Sequence, residues 1–289
     1  MKLSLKQSLL WIIGSTFLIS GTSYAGYFYY RNWKLQRLAD PKYRITALVQ
    51  TGPEKEALKT IYLAELLDLS IDRPSHLYAF DLKEAEKKLI SSPLIQKAVV
   101  KRIPPSALYI DFTTRKAVAW LYDFENMAID QDGYAFPVYP FFTPKNLPEI
   151  YLGIDQLPDG PIETKEKELA LKLLELLSKV PFYGKFQLIR IDVSKAFSES
   201  LGQREIVLWL RDEIVLEKGG RTQRYFFPKL IRLNPKNITQ QLDHFLVLHQ
   251  KMKEDYQKQI QWNKDFPGVV ELQNRIIDFR VPQLAFINE

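Results

Sequence analysis

The sequence has no cysteine. That excludes disulfide scaffolds, thiol nucleophiles and any zinc site built on thiolates, and it leaves the redox compartment open. Histidine is scarce: His76, His244 and His249 are the three in 289 residues. His244 and His249 are not at the i,i+4 spacing of a helical metal pair, so no metal site and no cofactor is expected. There is no glycine-rich phosphate loop, no Gly-x-Ser-x-Gly elbow, no His-Glu-x-x-His run and no dinucleotide fingerprint. No nucleophile stands with a base, which points away from an enzyme and from a small-molecule substrate. Charge of one sign is nowhere concentrated. The 40 Lys and Arg are interspersed with 34 Asp and Glu for a net +6, which is no footprint for nucleic acid. With 12 Gly and 17 Pro the chain is neither low-complexity nor collagen-like.

What is present is a chain that is 46% hydrophobic and long enough for about two globular units. Its first thirty residues stand apart. After Lys2 and Lys6 no charge occurs until Arg31. About two dozen uncharged residues suffice to cross a hydrocarbon core of roughly 30 Å as a helix. Leu9, Leu10, Trp11, Ile12, Ile13, Phe17, Leu18 and Ile19 form its apolar half. Tyr24, Tyr27, Phe28, Tyr29 and Tyr30 form an aromatic cluster of the kind found at a membrane interface. We expect a cytoplasmic tail over 1–8, a transmembrane helix over 9–30 and a juxtamembrane linker over 31–43. A cleaved secretory signal is the competing reading, since Ser23-Tyr24-Ala25 before Gly26 resembles a cleavage site. The anchor is preferred because the aromatics carry the apolar stretch past that point. A buried core helix is disfavoured because the segment has no polar face.

Residues 44–114 read as βααββ. Ile45–Val49 is the first strand. Glu54–Leu67 is a helix with Ala57, Leu58, Ile61, Tyr62 and Leu66 on one face. Asp81 and Glu84 have capping-box spacing ahead of a second helix that carries Leu82, Ala85, Leu89 and Ile90. Ile95–Arg102 and Leu108–Thr113 are strands around a Pro104-Pro105-Ser106 turn, with Leu108, Ile110 and Phe112 facing inwards.

Residues 115–289 read as a mixed α/β domain. Asp132-Gly133 is a hairpin turn, and Asp130 with Asp132 is not taken as an acid/base pair because no partner converges on them. Trp120 is expected in the core rather than as a ligand platform. Strands are expected at 148–152 and 188–193, with a helix over 163–179 whose buried side carries Leu169, Leu173, Leu176 and Leu177. Residues 204–210 and 213–217 read as an antiparallel pair turning at Arg211-Asp212, stopped by Gly219-Gly220. The following basic and aromatic stretch reads as an extra edge strand, with lipid headgroups or an acidic polymer as the alternative contact. A long helix from Asn234-Pro235 carries Ile238, Leu242, Phe245, His249, Met252 and Tyr256 on one stripe, which makes His249 a packed histidine. Ile276, Ile277 and Phe279 make a last strand, and Leu284–Ile287 follows Pro282.

Several short runs resemble the bacterial cell-division family FtsQ, called DivIB in Gram-positives. They are Leu77-Tyr78-Ala79-Phe80-Asp81, Ser92-Pro93-Leu94-Ile95, Arg102-Ile103-Pro104-Pro105-Ser106-Ala107-Leu108-Tyr109-Ile110, Lys116-Ala117-Val118-Ala119-Trp120 and Ile129-Asp130-Gln131-Asp132-Gly133-Tyr134-Ala135-Phe136. The family's Asp-Leu-Arg-Tyr element is matched by Asp278-Phe279-Arg280-Val281. The resemblance implies an α+β protein: a transmembrane helix, a βααββ POTRA domain over 44–114 and an FtsQ-type β domain over 115–289. It implies a divisome scaffold in the inner membrane, its bulk periplasmic, at the division septum. The implied partners resemble FtsB and FtsL, captured by strand addition and linked to septal peptidoglycan synthesis. Carried over, the partner-binding residues are Arg280, Val281, Leu284 and Phe286. Val281 replaces the family tyrosine, and Pro282 removes a ladder donor. Ordinary strand core is the alternative role for Leu284 and Phe286. A secreted periplasmic POTRA adaptor or chaperone in protein transport is the alternative function.

Overall fold

The computed structural model describes residues 5–53, 57–70, 72, 74–179, 186–218, 221–260, 268–281 and 283–288. The chain is mixed α+β and divides into two compact units, 1–114 and 115–289.

The first unit opens with α1 (Leu5–Ala39), one helix of 35 residues. At 1.5 Å per residue it is about 52 Å long, ample for a bilayer. Apolarity is the limit: among the described residues no helix is long and apolar enough to cross a membrane. Gly14, Ser15, Thr16, Ser20, Gly21, Thr22, Ser23 and Gly26 dilute the hydrophobic residues between them. The predicted linker over 31–43 is also different, because the helix continues to Ala39. It ends where Asp40 precedes Pro41, a position disfavoured in the α region. The Asp40 carboxylate accepts a 3.0 Å hydrogen bond from the Lys42 amide and caps the short 3-10 turn Pro41–Tyr43. The Arg37 guanidinium lies 4.1 Å over the Trp33 ring and 4.7 Å over that of Tyr78, tying the end of α1 to the rest of the unit.

The βααββ order follows: β1 (Ala47–Thr51), α2 (Thr60–Leu66), α3 (Leu82–Ser91), β2 (Ile95–Ile103) and β3 (Ala107–Thr114). The three-stranded sheet has the order β1-β3-β2, with β1 parallel and β2 antiparallel to the central β3. Leu108, Ile110 and Phe112 point into the core, as alternation requires. Asp81 caps α3, accepting from the amides of Lys83 and Glu84. The apolar face of α2 is rotated from expectation, while that of α3 holds except at Ile90. Ile61 is 67% exposed and Ile90 45%, while Leu58, Leu63, Leu67, Ala85 and Leu89 are buried. Residues 54–56, read as the first turn of the earlier helix, lie outside the described residues. That helix begins only at Thr60, so Leu58 enters from the loop and Leu63 and Leu67 set the buried side.

The second unit comprises β4 (Ala119–Leu121), β5 (Met127–Ile129), β6 (Ala135–Pro137), β7 (Glu149–Tyr151), α4 (Lys165–Leu177), β8 (Gln187–Asp192), β9 (Ile206–Lys218), β10 (Arg221–Leu233), α5 (Ile238–Gln259), β11 (Val269–Glu271), β12 (Arg275–Asp278) and β13 (Phe286–Asn288). They build a ten-stranded sheet in the order β13-β12-β10-β9-β8-β7-β4-β5-β6, with β11 also beside β10. Helices α4 and α5 contribute Ala170, Leu173, Leu177, Leu242, Phe245 and Met252 to a core shared with Leu208, Leu210, Ile231 and Ile277 of the sheet.

Two expectations fail here, for one reason. Arg211-Asp212 is not a turn. β9 runs unbroken through it for 13 residues and pairs with β10 along its whole length. β10 is accordingly an interior strand between β9 and β12, not an extra edge. Asp212 continues the inward alternation of Leu208, Leu210 and Ile214, and its charge is met by Lys229 of β10 and His249 of α5. A buried carboxylate with a cation in the neighbouring strand needs no turn. Gly219-Gly220, read as the strand stop, lies outside the described residues.

Candidate functional site

With no motif chemistry to follow, the sheet edges are the places where a partner could be held, because an edge presents unpaired backbone N–H and C=O groups. Among the described residues the second unit has four, of which the short β11, paired only with β10, carries the exposed charge of Glu271. β6 carries Pro137, which has no N–H to offer. The outer half of β9, beyond its pairing with β8, carries the exposed charges Glu213 and Glu217. Charges of this kind discourage pairing with another chain. The remaining edge, β13, has neither defence. It pairs with β12 through Ile276↔Asn288, Ile277↔Ile287 and Asp278↔Phe286, and its other side is the end of the sheet.

The side chains around β13 are apolar and uncovered. Leu284 is 55% exposed, Phe286 57%, and Val281 and Ile287 are also exposed. Leu284 and Phe286 are therefore not strand core, the role left open by alternation alone. A groove of about 340 Å³ lies beside the connection from β12 to β13. Asn237, Gln240 and His244 of the start of α5 form one wall, and Phe279, Val281 and Leu284 the other. Pro282 lies outside the described residues. The observed ladder covers 286–288, beyond that proline.

Arg280 does something other than project outwards. Its Nε donates to both carboxylate oxygens of Asp278 at 3.0 Å, its Nη2 donates at 2.8 Å, and its backbone N–H donates to the same side chain at 2.9 Å. Its Nη1 lies 3.3 Å from Glu205. Burial would raise the Asp278 carboxyl, but the hydrogen bonds from Arg280 outweigh it and hold the pKa below the ordinary value. The hydrogen bond to Asp278 correspondingly raises Arg280.

The other candidates drawn from the sequence are structural. Asp130 is buried, receives a 2.9 Å hydrogen bond from Arg115, and accepts from the amides of Asp132 and Tyr134. It thereby shapes the turn at Gly133, whose φ of +88° suits glycine. Trp120 is half-buried and donates its indole N–H to the Lys145 carbonyl. No cluster of potential metal ligands occurs among the described residues. Sequence reasoning missed Ile287, Glu205 and Arg232 at this edge. Glu205 and Arg232 become neighbours only through the pairing of Arg232 with Val207, a register that the misplaced turn concealed.

No protein-family model matches the chain, and no curated protein matches it.

Proposed function

We propose that the chain is a non-catalytic docking platform of the FtsQ/DivIB kind, which captures a segment of an FtsB- or FtsL-like partner along β13. The observation that carries this reading is the contrast among edges: of those described in its unit, β13 alone combines an open backbone ladder and exposed apolar side chains with no proline or charged residue in the strand. An incoming strand gains hydrogen bonds worth about 0.5–1.5 kcal/mol each. Leu284, Phe286 and Ile287 supply the apolar contacts that select its sequence. The βααββ order of the first unit and the family-like runs within it support the POTRA assignment.

The membrane placement belongs to the same proposal. Trp11, Phe17, Leu18, Ile19, Tyr24, Tyr27 and Phe28 of α1 are exposed, and none of the described residues covers them. A helix with apolar side chains all round is at home in a bilayer or among other spans, not in water. Because its apolarity is modest, companion spans are part of the reading, with the N-terminus cytoplasmic, the bulk periplasmic and the complex at the septum.

The experiment is co-purification of the full chain from detergent-solubilised membranes of its host, with the FtsB- and FtsL-like proteins identified by mass. Phe286→Glu is expected to lower their recovery about tenfold or more while both units still melt cooperatively. Unchanged recovery would remove β13 as the interface. A chain found wholly in the soluble fraction would remove the anchor.

A further inference from the structure

The connection that delivers β13 to the sheet edge is pinned by charges that are distant in sequence. Glu205 precedes β9, Arg232 lies on β10, Asp278 ends β12, and Arg280 starts the path towards β13. Arg232 donates through Nε to Glu205 at 2.7 Å, and its Nη2 lies 2.5 Å from the same oxygen. Its Nη1 lies 3.6 Å from Asp278. Arg280 closes the ring by reaching both Asp278 and Glu205. Each guanidinium faces both carboxylates, so the ring is neutral as a whole. The side chains of Glu205 and Asp278 are only 13% and 19% exposed, so solvent screening is reduced and the four act as a network.

We propose that Glu205 and Arg232 are positioning residues for the docking edge: through Asp278 and Arg280 they fix how the chain leaves β12 at 279–281 and so hold β13 in register on β12. This rests on the strand-addition reading for its purpose but not for its geometry. Three residue pairs join β13 to β12, and the exposed side chains of Phe286 and Ile287 add little packing. The strand is therefore a low-stability element whose local opening depends on what anchors its approach. A partner binding only the closed edge has its affinity reduced by the fraction of time the edge is open. The ring also gives Arg280 a role that does not require it to touch the partner.

The test is amide hydrogen exchange on the full chain, comparing residues 276–278 and 286–288 with core amides of β9 and β10. Glu205→Gln leaves two cations on one carboxylate, and Arg232→Gln leaves two carboxylates on one cation. Each single variant is expected to speed exchange at the β12–β13 pair about tenfold, within the range of network couplings, and to leave core amides unchanged. The double variant removes one charge of each sign and leaves Arg280 with Asp278. Its exchange is expected to be slower than the two single effects combined. Unaltered β13 exchange in both single variants would overturn the proposal. So would a strictly additive double variant. Recovery of the FtsB-like partner separates this idea from the docking reading. If β13 loosens and recovery is unchanged, strand addition at β13 fails while the ring stands. If recovery falls with β13 exchange unaltered, Arg232 touches the partner itself and the positioning role is wrong.

Discussion

Replacing Lys229 by Met gives the sharpest test of how the second unit is held together. Lys229, Asp212 and His249 are each 2–4% exposed. The Lys229 ammonium pairs with Asp212, and His249 Nδ1 lies 3.2 Å from Lys229 Nζ and 3.3 Å from Asp212 Oδ2. The cluster joins β9, β10 and α5, between the main core and the smaller one around Ile214, Tyr225 and Phe227. Lys229→Met strips the ammonium from a buried carboxylate, a change that destabilises by about 3–5 kcal/mol. For a unit of this size each kcal/mol moves the melting temperature by about 2–4 °C, so a fall of about 6–20 °C is expected. Asp212→Leu combined with Lys229→Met removes both charges and should regain most of that loss, since a buried pair is often no more stable than an apolar replacement. Calorimetry of the three proteins decides the matter. A single variant that melts like the native chain, or a double no better than the single, would refute the reasoning. The pH profile adds a signed check. Burial lowers the Lys229 pKa from its ordinary 10.5, more than the attraction of Asp212 raises it. Between the lowered value and the ordinary one, the unfolded chain holds a proton the folded chain has released, so stability rises with pH there. Above about pH 10 Tyr256, raised chiefly by burial, acts in the opposite sense. Lys229→Met should abolish the rise.

Two further outcomes are expected. Ile110→Asp places an unpaired carboxylate at a fully buried position of β3 and should unfold the first unit, by about 4 kcal/mol or more; retained cooperative melting of that unit would show that the inward phase of β3 is wrong. The lowered pKa of Asp278 means that its contribution is present above the ordinary Asp value near 3.9 and is lost as pH falls through the lowered value. Hydrogen exchange at 286–288 should therefore show no loosening attributable to Asp278 between pH 7 and pH 5 and should show it only in stronger acid; loosening centred near neutrality would point to another group.

Local rules make much of this fold legible. β2 and β3 follow from alternation, α3 from its Asp81 cap, and α4 and α5 from leucine and aromatic periodicity. Expectation fails where a residue's neighbour lies far along the chain. Asp212 reads as a turn because an aspartate between strands usually is one; Lys229, which makes it a core residue, is 17 positions away. The helix phase around Ile61 is misleading because the helix begins only at Thr60: Leu63 and Leu67 set its buried side, and Leu58 packs from outside it. At the β13 edge the family resemblance names Leu284 and Phe286, but not whether they are core or surface. Alternation alone cannot say which side of a strand has a second layer.

The long β9–β10 hairpin connects these points. Its inner face carries Asp212 and Lys229, its outer face carries Arg232, and Glu205 directly precedes β9. Side chains alternate, so a slip of one residue in β10 would turn Lys229 outwards and Arg232 inwards. The same slip would strand Asp212 in the core without its cation and separate Glu205 from Arg232. Apolar residues give a weaker choice here: β10 places Phe227, Ile231 and Leu233 inwards but also has Phe226 and Leu230 on the other face, so a slipped strand would still bury large side chains. Charge therefore specifies the register where hydrophobicity leaves it open. Because β12 and then β13 are laid against β10, that register also sets where the open edge lies. The buried pair and the outer ring are thus two consequences of one alignment, and a variant that shifts the hairpin should disturb the core and the β13 edge together.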